Sequence, residues 1–102
     1  MTPVRCNRQA SKAACAEPGD YCFLIADREG DRTAGDDETP THIYFVDPAG
    51  NRTRLPIKPT ANGWDWNGDR ESPSLKPSIR TDGGQTWKGW HGWLGNGVMA
   101  DA

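Results

Sequence analysis

The stretch W-D-W-N-G-D-R-E-S-P-S-L-K-P-S-I-R-T, residues Trp64 to Thr81, is predicted to organise the fold. All five tryptophans of the 102-residue chain lie between Trp64 and Trp93, so the main apolar mass is expected in the C-terminal half. Trp64 and Trp66 are two residues apart and share a face in an extended chain. The Trp-rich run Trp87 to Trp93 is the expected packing partner of this stretch.

Two prolines of this stretch, Pro73 and Pro77, exclude a helix interior and favour an extended chain. The acidic side chains near them are expected to accept hydrogen bonds from turn amides or to pair with arginines. We therefore predict that the stretch is a structural clasp formed by Trp64, Trp66, Asp69, Glu71, Pro73 and Pro77.

The composition indicates short elements joined by many turns, because 34% of the residues are hydrophobic and the chain has 12 Gly and 8 Pro. We predict an all-β or mostly β protein, a single small antiparallel β-meander that forms a sandwich or a partial barrel. Residues 1–18 lack an apolar stripe and are predicted to form a weakly ordered arm. Residues 19–102 are predicted to form the single β domain.

Local patterns place about five or six strands in that domain. Apolar, aromatic and β-branched residues predict strands at Tyr21–Ala26, Thr41–Asp47 and Arg52–Ile57. The segment Asp27–Pro40 is densely charged and is predicted to be a loop. Asn96-Gly97 is a strong hairpin signal near the C-terminus, so the Trp-rich run before it is expected to be a strand.

Charge and cysteine content exclude several classes of function. The net charge is -2, with 12 basic and 14 acidic residues, so nothing in it favours a nucleic acid or an anionic membrane as partner. No stretch approaches the ~20 apolar residues of a membrane helix, and we expect a cytoplasmic protein. Three cysteines without a C-x-x-C motif predict free thiols. We predict no cofactor.

The pairing of W-D-W-N-G-D-R-E-S-P-S-L-K-P-S-I (Trp64 to Ile79) with G-W-H-G-W-L-G-N-G (Gly89 to Gly97) resembles a known family. That family comprises small proteins of unknown function encoded by tailed phages and prophages. The resemblance implies a phage setting and the host cytoplasm as location. Many members carry a Cys-rich turn after the second strand and a Cys before the G-W-H-G-W run, a set that suits zinc with the histidine. This chain has Asp47-Pro48-Ala49-Gly50 and Lys88 at those positions, and only its histidine remains.

A metal site of this chain's own would need four Cys or His ligands. The five residues of those types have no paired spacing, and we predict that no metal is bound. If one is bound, the candidate ligands are Cys22, His42 and His91.

Catalysis by a nucleophile requires a Ser or Cys within hydrogen-bond reach of a base. His42 and His91 are the two bases of the neutral pH range, and the sequence contains no G-x-S-x-G, P-loop or H-E-x-x-H motif. The favoured alternative is a histidine whose nitrogens bond to Asp65 or to the backbone. The tryptophans are either a stacking platform or core, and core is favoured because the chain has little else to bury.

We therefore expect a small non-enzymatic binding or accessory protein, encoded by a phage or prophage, that contacts a host or phage protein. Its surface would be rimmed by the acidic segment Asp27–Pro40 and by the Trp90-His91 turn, because exposed aromatic residues beside glycine favour interfaces. The candidate binding residues are Trp90, His91, Trp93 and Asn96. The alternatives are a zinc-binding or hydrolytic enzyme that uses Cys22, His42 and His91, and a structural subunit.

Overall fold

Ten short strands form the protein in a computed structural model that describes residues 3–81 and 89–102. The helical content of these residues is one 3-10 turn, Lys12–Ala14, and none of their helices is long and apolar enough to cross a membrane. The strands are β1 (Val4–Arg5), β2 (Asn7–Arg8), β3 (Asp20–Asp27), β4 (Gly30–Thr33), β5 (His42–Val46), β6 (Arg52–Pro56), β7 (Asp65–Trp66), β8 (Leu75–Thr81), β9 (Trp90–Gly95) and β10 (Val98–Asp101).

The strands make two sheets that pack on each other. The C-terminal sheet has the order β1-β10-β9-β8-β7 and is antiparallel throughout. The N-terminal sheet has the order β2-β3-β5-β6, with β4 also paired to β3, and its β2–β3 pair is parallel. The prediction of a mostly β fold is confirmed. The described strands form two open sheets rather than a closed barrel.

The core lies between the sheets and follows the alternation of each strand. In β5, Ile43 and Phe45 are fully buried in the main core, whereas Val46 faces a smaller cluster on the other side of the N-terminal sheet. The C-terminal sheet contributes inward side chains such as Ile79 and Leu94. The period of two in these strands therefore determines which faces meet, as the sequence predicts for β5.

The N-terminal residues lie against both sheets instead of forming a loose arm. Strand β1 pairs with β10, and β2 pairs with β3. Cys6 and Cys15 are buried, and Cys6 N–H donates to the carbonyl oxygen of Gly97 at 2.8 Å. Strands of two residues carry no hydrophobic period, which is why the sequence pattern does not reveal them.

The acidic segment is also more ordered than a loop. Strand β4 lies within it and forms a hairpin with β3. Two of its carboxylates are paired with arginines, since Arg54 Nε lies 2.8 Å from Asp31 and Arg32 forms two hydrogen bonds to Glu38. Arg54 on β6 and Arg32 within the segment therefore offset part of the negative charge from which a solvated loop was predicted.

The C-terminal hairpin is confirmed where the sequence predicts it. Asn96 and Gly97 have φ angles of 49° and 74°, the left-handed pair that a two-residue hairpin turn requires. The turn connects β9 to β10, which run antiparallel from Gly95 and Val98. Trp87, the first residue of the Trp-rich run, and Lys88 fall outside the described residues.

Candidate functional site

Strands β8 and β9 bring a serine and a histidine together on the outward face of the C-terminal sheet. Ser78 Oγ lies 3.2 Å from Nε2 of His91. Both side chains point away from the core because their neighbours Ile79, Trp90 and Gly92 are buried. The distance is within reach of a hydrogen bond, and the role of each atom depends on the imidazole tautomer.

An irregularity in strand β8 lies at this serine. Leu75 pairs with Leu94, and Ile79 pairs with Gly92, so Lys76, Pro77 and Ser78 oppose Trp93 alone. Pro77 would face inward by strict alternation but is exposed. Bulges of this type reorient side chains and are frequent beside active sites.

Backbone contacts hold both members of the pair. The indole Nε1 of Trp64 donates to the carbonyl oxygen of Ser78 at 3.4 Å. The carbonyl oxygen of His91 accepts from the N–H of Ala102 at 2.9 Å. Residues next to β7 and β10, the strands that flank β8 and β9, therefore hold the two backbones.

A close approach next to His91 explains the glycine at position 92. A Cβ atom on Gly92 would lie 2.2 Å from the carbonyl oxygen of Ala100 and 2.3 Å from the Trp90 ring. The ring of Trp90 is itself held, because its Nε1 donates to Asp101 at 2.8 Å. A side chain at position 92 would displace the strand that carries the imidazole.

The imidazole has one hydrogen-bond partner among residues 3–81 and 89–102, and that partner is Ser78. Asp65, the alternative partner predicted from the sequence, pairs with Lys58 at 3.0 Å. What the described residues form is therefore a serine–histidine pair. Such a pair supplies a nucleophile and a base, the two groups that acyl transfer requires.

The cysteines are poorly suited to act as nucleophiles. Burial raises the pKa of the Cys6 thiol to about 12. Burial, with a smaller contribution from Cys22, raises that of Cys15 to about 12. Burial also raises the pKa of Cys22. Because the thiolate is the reactive form, buried thiols of this kind are inert, and Ser78 is the better nucleophile.

The four residues predicted to bind a partner have different environments. Trp90 is buried and Asn96 lies in the hairpin turn, where its N–H donates to Ser74 Oγ at 2.7 Å. His91 contacts Ser78, and Trp93 is 51% exposed beside it. The structure thus brings His91 and Trp93 to one surface, along a strand rather than a turn. It also differs from the preference for a buried Trp93, because this side chain lies on the outward face of β9.

The predicted clasp residues lie mostly at the edge of the core. Trp64 and Trp66 are half-buried, and the Trp66 ring lies 4.8 Å from that of Phe23. Asp69 accepts hydrogen bonds from two turn amides, those of Glu71 and Ser72, and Glu71 pairs with Arg8. The two prolines separate, since Pro73 is fully buried and Pro77 is exposed.

The candidate metal ligands lie on opposite sides of the molecule. Cys22 packs with Cys15 on the outer face of the N-terminal sheet, and the ladder places His42 on that face too. His91 lies on the outer face of the C-terminal sheet, beyond the core. Within residues 3–81 and 89–102, no group of three or more Cys, His, Asp or Glu is arranged to hold a metal ion.

His42 has a local environment of its own. Its Nδ1 lies 2.8 Å from Oγ1 of Thr41, and burial lowers its pKa.

A protein-family model matches residues 27–101, most of the chain, and includes both Ser78 and His91. Its description is "Bacterial ubiquitination-like system serine protease (BubE)". The chain belongs to the BubE family. No curated protein and no solved structure matches it.

Membership of the BubE family corrects the expected function. The hypothesis of a non-enzymatic phage accessory protein is wrong, because the family is described as a serine protease. Membership of a family of small domains is confirmed, but the family description names a bacterial system and gives no support to a phage origin. The hypothesis rested on the absence of contiguous catalytic motifs, whereas Ser78 and His91 meet across two strands.

Ser78 is not among the candidate site residues predicted from the sequence. One signal was available, since alternation from Leu75 through Ile79 to Thr81 places the serine on the outward face. Its pairing with His91 depends on the register between β8 and β9, which the bulge shifts. No local pattern gives that register.

Proposed function

We propose that this protein is a serine protease with Ser78 as its nucleophile and His91 as its general base. The observation that carries the proposal is the 3.2 Å separation of Ser78 Oγ and His91 Nε2. The description of the BubE family supports the same reaction class. The proposed substrate is a protein of a bacterial ubiquitination-like system, cleaved at an amide bond.

In the first half of the reaction, Nε2 of His91 takes the proton of the Ser78 hydroxyl as Oγ attacks the carbonyl carbon of the substrate. The C–O bond forms, and the carbonyl oxygen carries the negative charge of the tetrahedral intermediate. When the intermediate collapses, the C–N bond breaks. The leaving amine takes the proton from His91, and an acyl ester remains on Ser78.

In the second half, water replaces the amine. His91 accepts a proton from the water as its oxygen attacks the ester carbonyl. Collapse of this intermediate breaks the bond to Ser78 Oγ, which regains its proton from His91. The products are a new carboxyl terminus and a new amine, and the free enzyme is restored.

The surroundings of the pair suit this role. Strands are rigid elements, and sites built on them hold their geometry better than sites on loops. Trp64 contacts the backbone of Ser78 and acts as a positioning residue. Arg80 pairs with His91 in the ladder and is exposed, so its positive charge lies on the face where the oxyanion develops.

A small sulfonyl fluoride tests the nucleophile without knowledge of the substrate. We expect it to sulfonylate Ser78, with loss of fluoride, and peptide mapping by mass spectrometry to find the adduct at that residue. The Ser78→Ala variant should not be labelled. His91→Gln should slow labelling at least about 1,000-fold, because a serine without its base loses most of the reactivity of the pair.

Two matched controls separate chemistry from folding. Ser72→Ala removes an exposed hydroxyl in the preceding turn and should be labelled at the wild-type rate. His42→Gln removes the other histidine and should leave the labelling rate of folded protein unchanged. Labelling that persists in Ser78→Ala, or that is unaffected by His91→Gln, would refute the proposal.

A further inference from the structure

An apolar groove of about 580 Å³ opens beside the serine–histidine pair. Most of its lining comes from β8 and β9 of the C-terminal sheet, and Asp65 of β7 and Ser74 complete it. The residues that shape it include Leu75, Lys76, Pro77, Trp93, Leu94 and Gly95.

Neither Ser78 nor His91 lines the groove, but their neighbours on both strands do. Pro77 is bonded to Ser78, and Trp93 lies one same-face step along β9 from His91. Same-face residues of a strand are about 7 Å apart, and an extended peptide advances by the same step. A substrate side chain in the groove therefore belongs to a residue within about two positions of the amide bond held at Ser78.

The chemistry of the groove selects an apolar occupant. Trp93 is 51% exposed and is the one exposed large apolar side chain among residues 3–81 and 89–102. Gly95 leaves its end open, since a Cβ there would meet nothing within 4 Å. Concave sites of about 300–1,000 Å³ with aromatic walls are typical of ligand-binding sites. This groove has room for one leucine or phenylalanine side chain.

We propose that the groove is the specificity pocket of the protease and that it takes a bulky apolar side chain of an extended peptide segment. This inference rests on the proposed function. Trp93 is the residue that determines the preference, because its ring forms the exposed wall. The occupied position lies within two residues of the cleaved bond.

Cleavage of a peptide library by the full-length protein tests the pocket on both sides of the bond at once. The library is a proteome digested to peptides, and mass spectrometry reads the new termini. We expect Leu, Phe or Met to be enriched at least about tenfold at one position within two residues of the cleaved bond. Trp93→Ala should abolish that enrichment, and Trp93→Phe should retain most of it.

Sulfonylation of Ser78 in the same preparations separates the two proposals. If Trp93→Ala is still labelled but loses the preference, the pocket is supported. Three outcomes refute the pocket while Ser78 is still labelled and the reaction centre stands. The peptides are not cleaved, they are cleaved with no apolar preference, or Trp93→Ala leaves the preference intact. If Ser78 is not labelled, both proposals are refuted.

Discussion

The hydroxyl of Thr81 joins the two sheets at one point, and its removal gives a quantitative test of the fold. Thr81 Oγ1 donates to Oδ2 of Asp47 at 2.7 Å and accepts from the N–H of Trp90 at 3.1 Å. Asp47 is fully buried and Thr81 is 7% exposed. Thr81 ends β8, and Asp47 begins the turn after β5, so this bond connects the edge of one sheet to the turn of the other.

Thr81→Val keeps the branched shape and removes the hydroxyl. The lost hydrogen bond to a carboxyl group is worth about 1.5–3 kcal/mol, and the unpaired buried N–H of Trp90 costs about 1–3 kcal/mol. The free energy of unfolding should therefore fall by about 2.5–6 kcal/mol. Domains of this size have about 5–15 kcal/mol in total, so the loss is a large and readily measured share of the stability.

Equilibrium unfolding in urea measures this loss. With a slope of about 2 kcal/mol per molar urea, the midpoint should fall by about 1–3 M. Thr53→Val is the matched control on β6, and its free energy of unfolding should change by less than about 0.5 kcal/mol. If Thr81→Val also changed the free energy by less than about 0.5 kcal/mol, the hydroxyl would not couple the sheets and the reasoning would fail.

Three further predictions concern the neighbourhood of the site and an ion pair. Gly92→Ala should lower the free energy of unfolding by at least about 1–3 kcal/mol, because its Cβ would lie 2.2 Å from a backbone oxygen. At Gly95 a Cβ would meet no atom within 4 Å, so Gly95→Ala should leave the urea midpoint unchanged. Trp64→Phe removes the indole N–H that bonds the nucleophile's carbonyl. It should slow sulfonylation without changing apolar preference in the library, and an unchanged rate would contradict the positioning role. Two hydrogen bonds from Arg32 and one backbone amide lower the pKa of Glu38 from 4.5 to about 2. Its stabilising contribution is therefore complete above about pH 4.5 and is lost as the pH falls toward 2, so the stability difference between wild type and Glu38→Gln should shrink over that range. A difference that grew on acidification would contradict this sign.

Strands were predictable from the sequence where several consecutive residues carry an apolar or alternating pattern. The run Tyr21–Ala26 and the alternation in β5 predict the central strands of the N-terminal sheet, and Asn96-Gly97 predicts the C-terminal hairpin. Strands β1 and β2 were not predictable, because two residues carry no period and their partners lie far along the chain. Strand β4 was hidden by charges that are paired only in the folded protein.

The candidate site shows the same division. The sequence alone marks His91, placed between glycines and tryptophans, as a chemically distinct residue. The alternation around Ile79 also puts Ser78 on the outward face of a short strand, a signal that the sequence prediction did not use. Neither observation connects the two, because their contact depends on the register of β8 against β9.

What the sequence by itself determined is the class of fold, since the period of two, the turn residues and the absence of long apolar helices are local properties. What only the tertiary structure decided is which side chains meet. The bulge at Lys76–Ser78 sets Ser78 beside His91, and the hydroxyl of Thr81 reaches Asp47 across the two sheets. Both contacts join residues distant in the chain, and a distance across strands is a property of packing and register that no local pattern contains.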